Sequence, residues 1–181
     1  MRSPTPGPAL FVRAWFRDMD GRPVAGAEVD IWQSSTEGLY ENQDPKQADM
    51  NLRGKFHSDA DGHVSFQSVK PAGYPIPITG PVGDLLRAQG RHNMRPAHLH
   101  VLASKDGFKT LISQVYSPDD PYLETDVQFG VTRRLIGKYV RHDVPAPFPG
   151  VEAPWYSLDY TFVMEPGESR LPAAPITGKA A

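Results

Sequence analysis

The amino-acid sequence predicts a mainly β fold, an antiparallel β-sandwich with long loops and one or two short helices. Three observations support this prediction. Runs of β-forming residues are short and are bounded by turn residues. The 16 glycines and 19 prolines recur between these runs instead of collecting in one linker, which is typical of sandwiches and barrels. With 181 residues, the chain is long enough for one domain with an apolar core.

Residues 10–17 and 27–33 are the first predicted pair of strands. Both runs are rich in β-formers, and the turn residues at 19–23 predict either a hairpin or a corner between two sheets. Along 27–33, apolar and acidic side chains alternate, so one face packs on the core and the other faces water until Trp32 breaks the pattern. The polar stretch 37–51 has no clear period and predicts a surface loop.

A second strand–turn–strand unit is predicted at residues 54–58 and 63–68, around turn residues 59–62. The four prolines within 71–81 exclude a central strand, because proline has no amide hydrogen to donate to a sheet. This segment therefore predicts a stiff loop.

Helix is expected to be a minor component. Residues 81–89 can begin a short helix with proline in its first turn and with Leu85 and Leu86 facing the core. Further strands are expected at residues 98–103, 110–116 and 155–164. The chain is thus divided into an N-terminal arm (1–9), a catalytic sandwich domain (10–164) and a C-terminal tail (165–181) that lies on the surface or is disordered.

Composition narrows the classes of function. The net charge is −2, with 19 basic and 21 acidic residues and no long runs, so we expect no nucleic-acid or membrane partner. The absence of cysteine excludes disulfides, zinc–thiolate sites, iron–sulfur clusters and thiol nucleophiles, so any metal is held by oxygen and nitrogen. Arg13 and Arg17 interrupt the N-terminal apolar stretch, which argues against a signal peptide and favours a cytoplasmic protein.

The sharpest local signal is the hexapeptide Arg95-Pro96-Ala97-His98-Leu99-His100. Side chains two residues apart on a strand project from the same face, so the imidazoles of His98 and His100 can reach one metal ion while Leu99 enters the core. A His-x-His pair alone leaves open whether it binds a metal at all, because two histidines can alternate by chance.

Oxygen ligands must complete such a site, and the sequence offers two kinds. Asp119 and Asp120 could supply the carboxylate of a ferrous site with two histidines, although their surroundings are strong turn residues. Tyr40 and Tyr74 lie in loops after β-rich runs, where a side chain can be directed at a site. A phenolate at neutral pH needs a strong Lewis acid such as Fe(III). Taken alone, either tyrosine is more readily explained by packing than as a metal ligand.

An ordered set of short motifs surrounds these residues. The motifs are residues 21–27 with Trp32, 38–40, 51–54, 59–62, 70–71, 80–81, 91–92 and 95–100. In order and spacing they resemble the catalytic domain of intradiol ring-cleavage dioxygenases, over a stretch from about Leu10 to Met164.

The resemblance implies Fe(III) bound by two tyrosinates and two histidines in a trigonal bipyramid, with a solvent hydroxide in the fifth place. The implied metal ligands are Tyr40, Tyr74, His98 and His100. Tyr74 would be the ligand that leaves when substrate binds, Arg95 would stabilise negative charge on the diol, and Gln114 would be a pocket glutamine. The implied reaction uses O2 to cleave the ring between its two hydroxylated carbons and yields a muconate-type diacid.

The resemblance also suggests a substrate. Residues just after the second tyrosine line the pocket in this family, so Ile76 and Pro77 are candidate substrate contacts. Residues 74–77 and 80–83 look more like the hydroxyquinol 1,2-dioxygenase branch than the catechol branch, which favours hydroxyquinol or a substituted catechol. Familiar members carry a dimerising helical N-terminal region, whereas this sequence begins near the catalytic strands. Any homo-oligomer is therefore expected to form by another route.

Two other interpretations stay open at this level. The Gly-x-Pro-Val-x-Gly-Ala motif followed by Asp-x-Asp-Gly also marks transthyretin-like binding modules, in which the tyrosines only pack and no metal binds. A ferrous oxygenase that uses the two histidines and an acidic residue is the second. It would be nearly colourless and would tolerate loss of the Tyr40 hydroxyl.

Overall fold

The computed structural model describes Met1 and residues 5–171. The strands in this part of the chain are β1 Ala9–Arg17, β2 Glu28–Gln33, β3 Arg53–His57, β4 His63–Val69, β5 Tyr74–Pro75, β6 Met94–Arg95, β7 His98–Ser104, β8 Leu111–Tyr116, β9 Tyr139–His142 and β10 Trp155–Val163. Helical structure is limited to α1, Pro81–Ala88, and a 3-10 turn at Arg133–Leu135. A membrane-spanning helix is absent from these described residues.

Two four-stranded sheets form the sandwich. Their strand orders are β4-β1-β10-β9 and β3-β2-β7-β8, here called sheet A and sheet B. All their strand pairs are antiparallel except β1 with β10, which is parallel. The predicted antiparallel β-sandwich is confirmed. Both β1 to β2 and β3 to β4 cross from one sheet to the other, so each predicted strand–turn–strand unit is a corner and not a hairpin.

The core lies between the sheets. Its side chains include Leu10, Val12, Phe16, Leu158 and Phe162 from sheet A, and Val29, Ile31, Leu99, Val101 and Val115 from sheet B. A polar clamp joins the sheets at one end, where the Nε2 of buried Gln33 donates to the backbone oxygen of Val69 at 2.9 Å and its Oε1 accepts from the Ser68 hydroxyl at 2.7 Å. Satisfied polar groups of this kind fix the relative position of the sheets.

The outer face of sheet B carries several of the predicted site residues and their neighbours. The strand register places Arg53 beside Trp32, Trp32 beside His100, and His100 beside Gln114. A separate two-stranded ribbon, β5 with β6, pairs Tyr74 with Arg95. The proline-rich loop therefore contributes no strand to either sheet, as predicted, and the ribbon brings Tyr74 and Arg95 together.

One prediction for α1 is wrong. Leu86 is buried as expected, but Leu85 is 58% exposed. Consecutive helical residues point about 100° apart, and the buried stripe of this short helix passes through Gly83 and Leu86.

The tail is described only to residue 171, and residues 172–181 of the predicted surface tail lie outside the described part. Its first residues pair with a nearby loop, where Lys109 N donates to Glu165 O at 2.8 Å and Gly167 N donates to Gly107 O at 2.9 Å. The division into arm, domain and tail stays a prediction.

Candidate active site

His98 and His100 lie side by side on the outer face of β7, with Leu99 between them in the core. Their Nε2 atoms are 3.0 Å apart. The Nδ1 of His98 is 2.6 Å from the backbone oxygen of Pro96, which can only accept a hydrogen bond. Nδ1 is therefore assigned the hydrogen, and the Nε2 of neutral His98 presents a lone pair to the cluster.

Both imidazoles are kept neutral at pH 7. Burial lowers the pKa of His98 to about 4, and the Arg95 cation contributes in the same direction. Burial lowers the pKa of His100 to about 3, with further contributions from His98 and Arg95. The ring of His100 is stacked on Trp32, with centroids 4.7 Å apart and planes 5° from parallel. Neutral, oriented imidazoles are what a metal requires.

Two tyrosine side chains close over the histidine pair, Tyr40 from a loop and Tyr74 from the β5–β6 ribbon. The Oη of Tyr40 is 3.0 Å from His100 Nε2, and the Oη of Tyr74 is 3.4 Å from His98 Nε2. The two phenol rings meet edge to face at 5.1 Å. Burial, followed by the neighbouring Tyr74, raises the pKa of Tyr40 well above its usual value of 10, so Tyr40 ionises at neutral pH only beside a strong cation.

The four donor atoms fit a shared metal ion. Ligand atoms about 2 Å from one ion, separated by angles of about 90–120°, lie roughly 2.8–3.5 Å apart, and the cluster's contacts of 3.0–3.4 Å fall in this range. Among Met1 and residues 5–171, no group of three His, Cys, Asp or Glu side chains could hold a metal. Any metal here depends on the phenols, and paired phenolates favour Fe(III).

Arg95 lies against this cluster and is 2% exposed. Its Nη1 donates to His98 Nε2 at 3.2 Å, and its Nη2 donates to Gln114 Oε1 at 3.0 Å. The structure thus brings together six of the predicted site residues, namely Tyr40, Tyr74, Arg95, His98, His100 and Gln114. A guanidinium beside this cluster of tyrosines and histidines can offset negative charge on a bound anion.

The predicted substrate contacts, Ile76 and Pro77, follow directly after β5. Ile76 N donates to Asn93 O at 2.8 Å, and its own oxygen accepts from the Asn93 side chain at 2.7 Å. Pro77 is exposed. Their role in substrate binding stays a prediction.

The acidic residues considered for a ferrous site are engaged elsewhere. Asp119 accepts from Lys70 Nζ at 2.8 Å and from the Ser117 hydroxyl at 2.7 Å. Asp120 accepts from the backbone nitrogens of Ala97 and Tyr122, each at 2.9 Å. Both act as loop caps, so the structure gives no support to a site with two histidines and one of these carboxylates.

Two site residues were missed by the sequence analysis. Asp126 is 3% exposed and forms an ion pair with Arg95, and Tyr116 accepts from Arg95 Nη2 at 2.8 Å. The available signal for Asp126 was indirect, because a buried arginine in a site motif requires a carboxylate partner somewhere in the chain.

The fold and the site define a class. A β-sandwich whose outer face gathers two tyrosines, two histidines and an arginine matches the predicted family, and a family model described as dioxygenase matches residues 1–165. The chain belongs to the intradiol ring-cleavage dioxygenase family, which confirms the resemblance drawn from its motifs.

The chain can also be compared with individual relatives. The chain is 45% identical over 162 residues to hydroxyquinol 1,2-dioxygenase of Rhizobium sp. (strain MTP-10005), covering 87% of this chain and 55% of the relative. It is 43% identical over 148 residues to 6-chlorohydroxyquinol 1,2-dioxygenase of Cupriavidus pinatubonensis, covering 82% and 50%. The crystal structure of hydroxyquinol 1,2-dioxygenase from Pseudomonas putida DLL-E4 superposes with a TM-score of 0.81 at 41% identity, covering 91% and 59%. The chain thus spans about half the length of these relatives.

Proposed function

We propose that this chain binds one ferric ion through Tyr40, Tyr74, His98 and His100, and that it cleaves the aromatic ring of a catechol-type diol with O2. The observation that carries the proposal is the convergence of two phenol oxygens and two imidazole nitrogens at 3.0–3.4 Å on the outer face of sheet B. A transthyretin-like binding module gives no reason for such a cluster, because buried polar groups cost stability unless they are used or paired.

When bound, Fe(III) would stabilise both phenolates and withdraw electron density from the diol, so that a ring carbon becomes reactive toward O2. In the overall reaction, the bond between the two hydroxylated carbons breaks and both oxygen atoms of O2 enter the product, a muconate-type diacid. The chain's own residues bind and orient the diol and handle its protons.

Tyr74 and Arg95 have the clearest tasks in this scheme. A diol that binds as a dianion must lose two hydroxyl protons. The ionised Oη of Tyr74 can take one of them, and the solvent hydroxide that the resemblance implies would take the other. Tyr74 suits this role because its ribbon is only two residues long and lies outside both sheets. The buried guanidinium of Arg95 then offsets the negative charge on the substrate oxygens, with Gln114 beside it as a second polar pocket group.

The proposed preferred substrate is hydroxyquinol or a substituted catechol. Two lines support this choice. Residues 74–77 and 80–83 look like the hydroxyquinol branch, and the relatives at 45% and 43% identity are named for hydroxyquinol and 6-chlorohydroxyquinol. Ile76 and Pro77 are the proposed contacts to the ring.

A visible spectrum tests the iron and its ligands. Iron-loaded protein should be red-brown from tyrosinate-to-iron charge transfer. Tyr40→Phe and Tyr74→Phe should each shift or weaken the band. Tyr160→Phe is the matched control, because that hydroxyl donates to Arg134 O and lies outside the cluster. Stoichiometric iron without a visible band, or a band that survives both site substitutions unchanged, would rule out the proposed ligands.

The same sample tests the substrate. Under nitrogen, hydroxyquinol should shift the band at lower concentration than catechol or protocatechuate. On admission of air, one O2 should be consumed per diol as the diacid appears. A spectral shift with no O2 uptake would identify a diol-binding protein and would refute the proposed reaction.

A further inference from the structure

The buried ion pair between Arg95 and Asp126 lies directly behind the ligand cluster. Both side chains are almost fully buried, at 3% and 2% exposure. Arg95 Nε donates to Asp126 Oδ1 at 3.2 Å, and Nη2 donates to Oδ2 at 3.3 Å. Two bonds from a planar guanidinium to one carboxylate fix its position and also its orientation.

The remaining hydrogen bonds of Arg95 are unevenly divided between its two terminal nitrogens, Nη1 and Nη2. Nη2 also donates to Tyr116 Oη at 2.8 Å and to Gln114 Oε1 at 3.0 Å, so this nitrogen has more acceptors than hydrogens. Nη1 makes one hydrogen bond within the described residues, to His98 Nε2 at 3.2 Å. A metal ion on His98 would use that same lone pair, which leaves Nη1 as a free donor beside the ligands.

Arg91 and His92, which lie just before Arg95 in the sequence, hold the loop that carries Asp126 in place. The side chain of Arg91 donates to the backbone oxygens of Asp126 and Val127 at 3.3 Å and 3.2 Å. The imidazole of His92 is 2.9 Å from the hydroxyl of Thr125. This gives the Arg91-His92 pair a structural task, because it holds the loop that supplies the partner of Arg95.

Both oxygens of the Asp126 carboxylate are fully used as hydrogen-bond acceptors. In addition to Arg95, it accepts from Gly130 N at 2.9 Å and from Gln128 N at 3.3 Å. Two oxygens thus serve four donors, and only an ionised carboxylate, which accepts on both oxygens, can do this. In an asparagine, the amide group would face one Arg95 donor and one backbone donor whichever way it was turned.

We propose that Asp126, together with Tyr116, is a positioning residue for diol binding, which takes up the Nε and Nη2 hydrogens of Arg95 so that Nη1 is directed at the bound diol. This inference rests on the proposed function. It differs from a purely structural role, because it requires that loss of Asp126 weakens diol binding while the four iron ligands stay in place.

The test compares Asp126→Asn with Asp159→Asn. The control removes a carboxylate from the exposed Arg13–Asp159 pair on sheet A. Iron per chain is measured by atomic absorption, and hydroxyquinol affinity is measured from the anaerobic spectral shift. Asp126→Asn should keep its iron and bind the diol about tenfold to a hundredfold more weakly. Asp159→Asn should match wild type in both measurements.

A second measurement reports on Arg95 itself. The chain is loaded with diamagnetic Ga(III), and the Nε–H signal of Arg95 is assigned by its loss in Arg95→Lys. The Nε hydrogen of Arg95 should exchange slowly with solvent in wild type and much faster in Asp126→Asn. Should Asp126→Asn fail to fold, Tyr116→Phe carries the test, because it keeps the ion pair and removes one acceptor. It should weaken diol binding about threefold to tenfold with iron unchanged.

The outcomes separate the two proposals. Wild-type protein that binds no iron, or shows no shift with diol, overturns the proposed function and the role of Asp126 with it. Wild-type protein that binds both, with equal diol affinity in the folded variant, overturns the inference alone. Loss of iron in the folded variant also overturns the inference, because the role of Asp126 would then be to maintain the metal site and not to position Arg95.

Discussion

Gly38 links the two loops that carry the proposed tyrosine ligands. It lies two residues before Tyr40, in the left-handed region at φ +73°. A Cβ added there would lie 2.6 Å from the backbone oxygen of Gly73 and 3.3 Å from the Cβ of Tyr74. The first distance is far too short, and because the opposing atom belongs to the backbone, only movement of a whole loop can relieve it. Gly38→Ala should therefore push the Tyr40 and Tyr74 loops apart.

The cost of Gly38→Ala has two parts. A side chain in the left-handed region costs about 1–2 kcal/mol, and forcing an extra group into an occupied space costs about 1–3 kcal/mol. Gly21→Ala isolates the first part. Its φ is +81°, and no described atom lies within 4 Å of the added Cβ. The free energy of unfolding should fall by about 2–5 kcal/mol in Gly38→Ala and by about 1–2 kcal/mol in Gly21→Ala.

Two assays separate stability from site geometry. Urea denaturation in the presence of a chelator gives the free energy of unfolding of each metal-free variant. Iron content and the visible band then report on the loops, and Gly38→Ala alone should bind iron weakly or with an altered band. Equal unfolding free energies for the two variants, together with a wild-type band in Gly38→Ala, would refute the reasoning that this glycine sets the spacing of the tyrosine loops.

Two further predictions concern the histidines. Trp32→Leu removes the ring stacked on His100 and should lower iron content per chain, whereas Trp155→Leu removes a similar stack on His142, 3.8 Å between centroids, and should leave iron content unchanged. Metal-free protein should lose unfolding free energy as pH falls from about 6.5 to about 4, and His98 should account for about 3 kcal/mol of the loss, because burial lowers the pKa of His98 and the unfolded chain takes up protons first. Urea melts across this range should show a shallower pH dependence for His98→Gln.

The sandwich could be predicted because its signals are local. Alternation along β2 and β10, and turn residues between short strands, fix which segments are extended and which face is apolar. The same turn residues serve a hairpin and a corner, so the sequence left open whether β1 and β2 pair. The parallel pairing of β1 with β10 joins segments more than 140 residues apart, such as Leu10 and Tyr156, and depends on packing that no local pattern reports.

The site residues likewise include some that a local sequence pattern predicts and others that it does not. The His98 and His100 pair follows from strand geometry, whereas Tyr40 and Tyr74 lie in segments without a periodic pattern and were identified as metal ligands only by resemblance. Asp126 was missed because an aspartate among turn residues looks like a loop cap, and it is one, since it accepts from Gly130 N. Only the tertiary structure shows that the same carboxylate also neutralises Arg95.

Departures from the alternating pattern mark the site better than any single residue does. A solvated sandwich face should carry polar side chains, yet Trp32, His98 and Tyr116 all lie on the outer face of sheet B, and the last two are at most 1% exposed. His98 is covered by the segment that carries Tyr74, whose Oη lies 3.4 Å from His98 Nε2, and Tyr116 is covered by Arg95 and by the loop at Gly130. Ordering such loops costs conformational entropy. The prolines around Tyr74 reduce that cost by restricting the unfolded chain, so the same residues that exclude a central strand help to hold the Tyr74 side chain over the histidines.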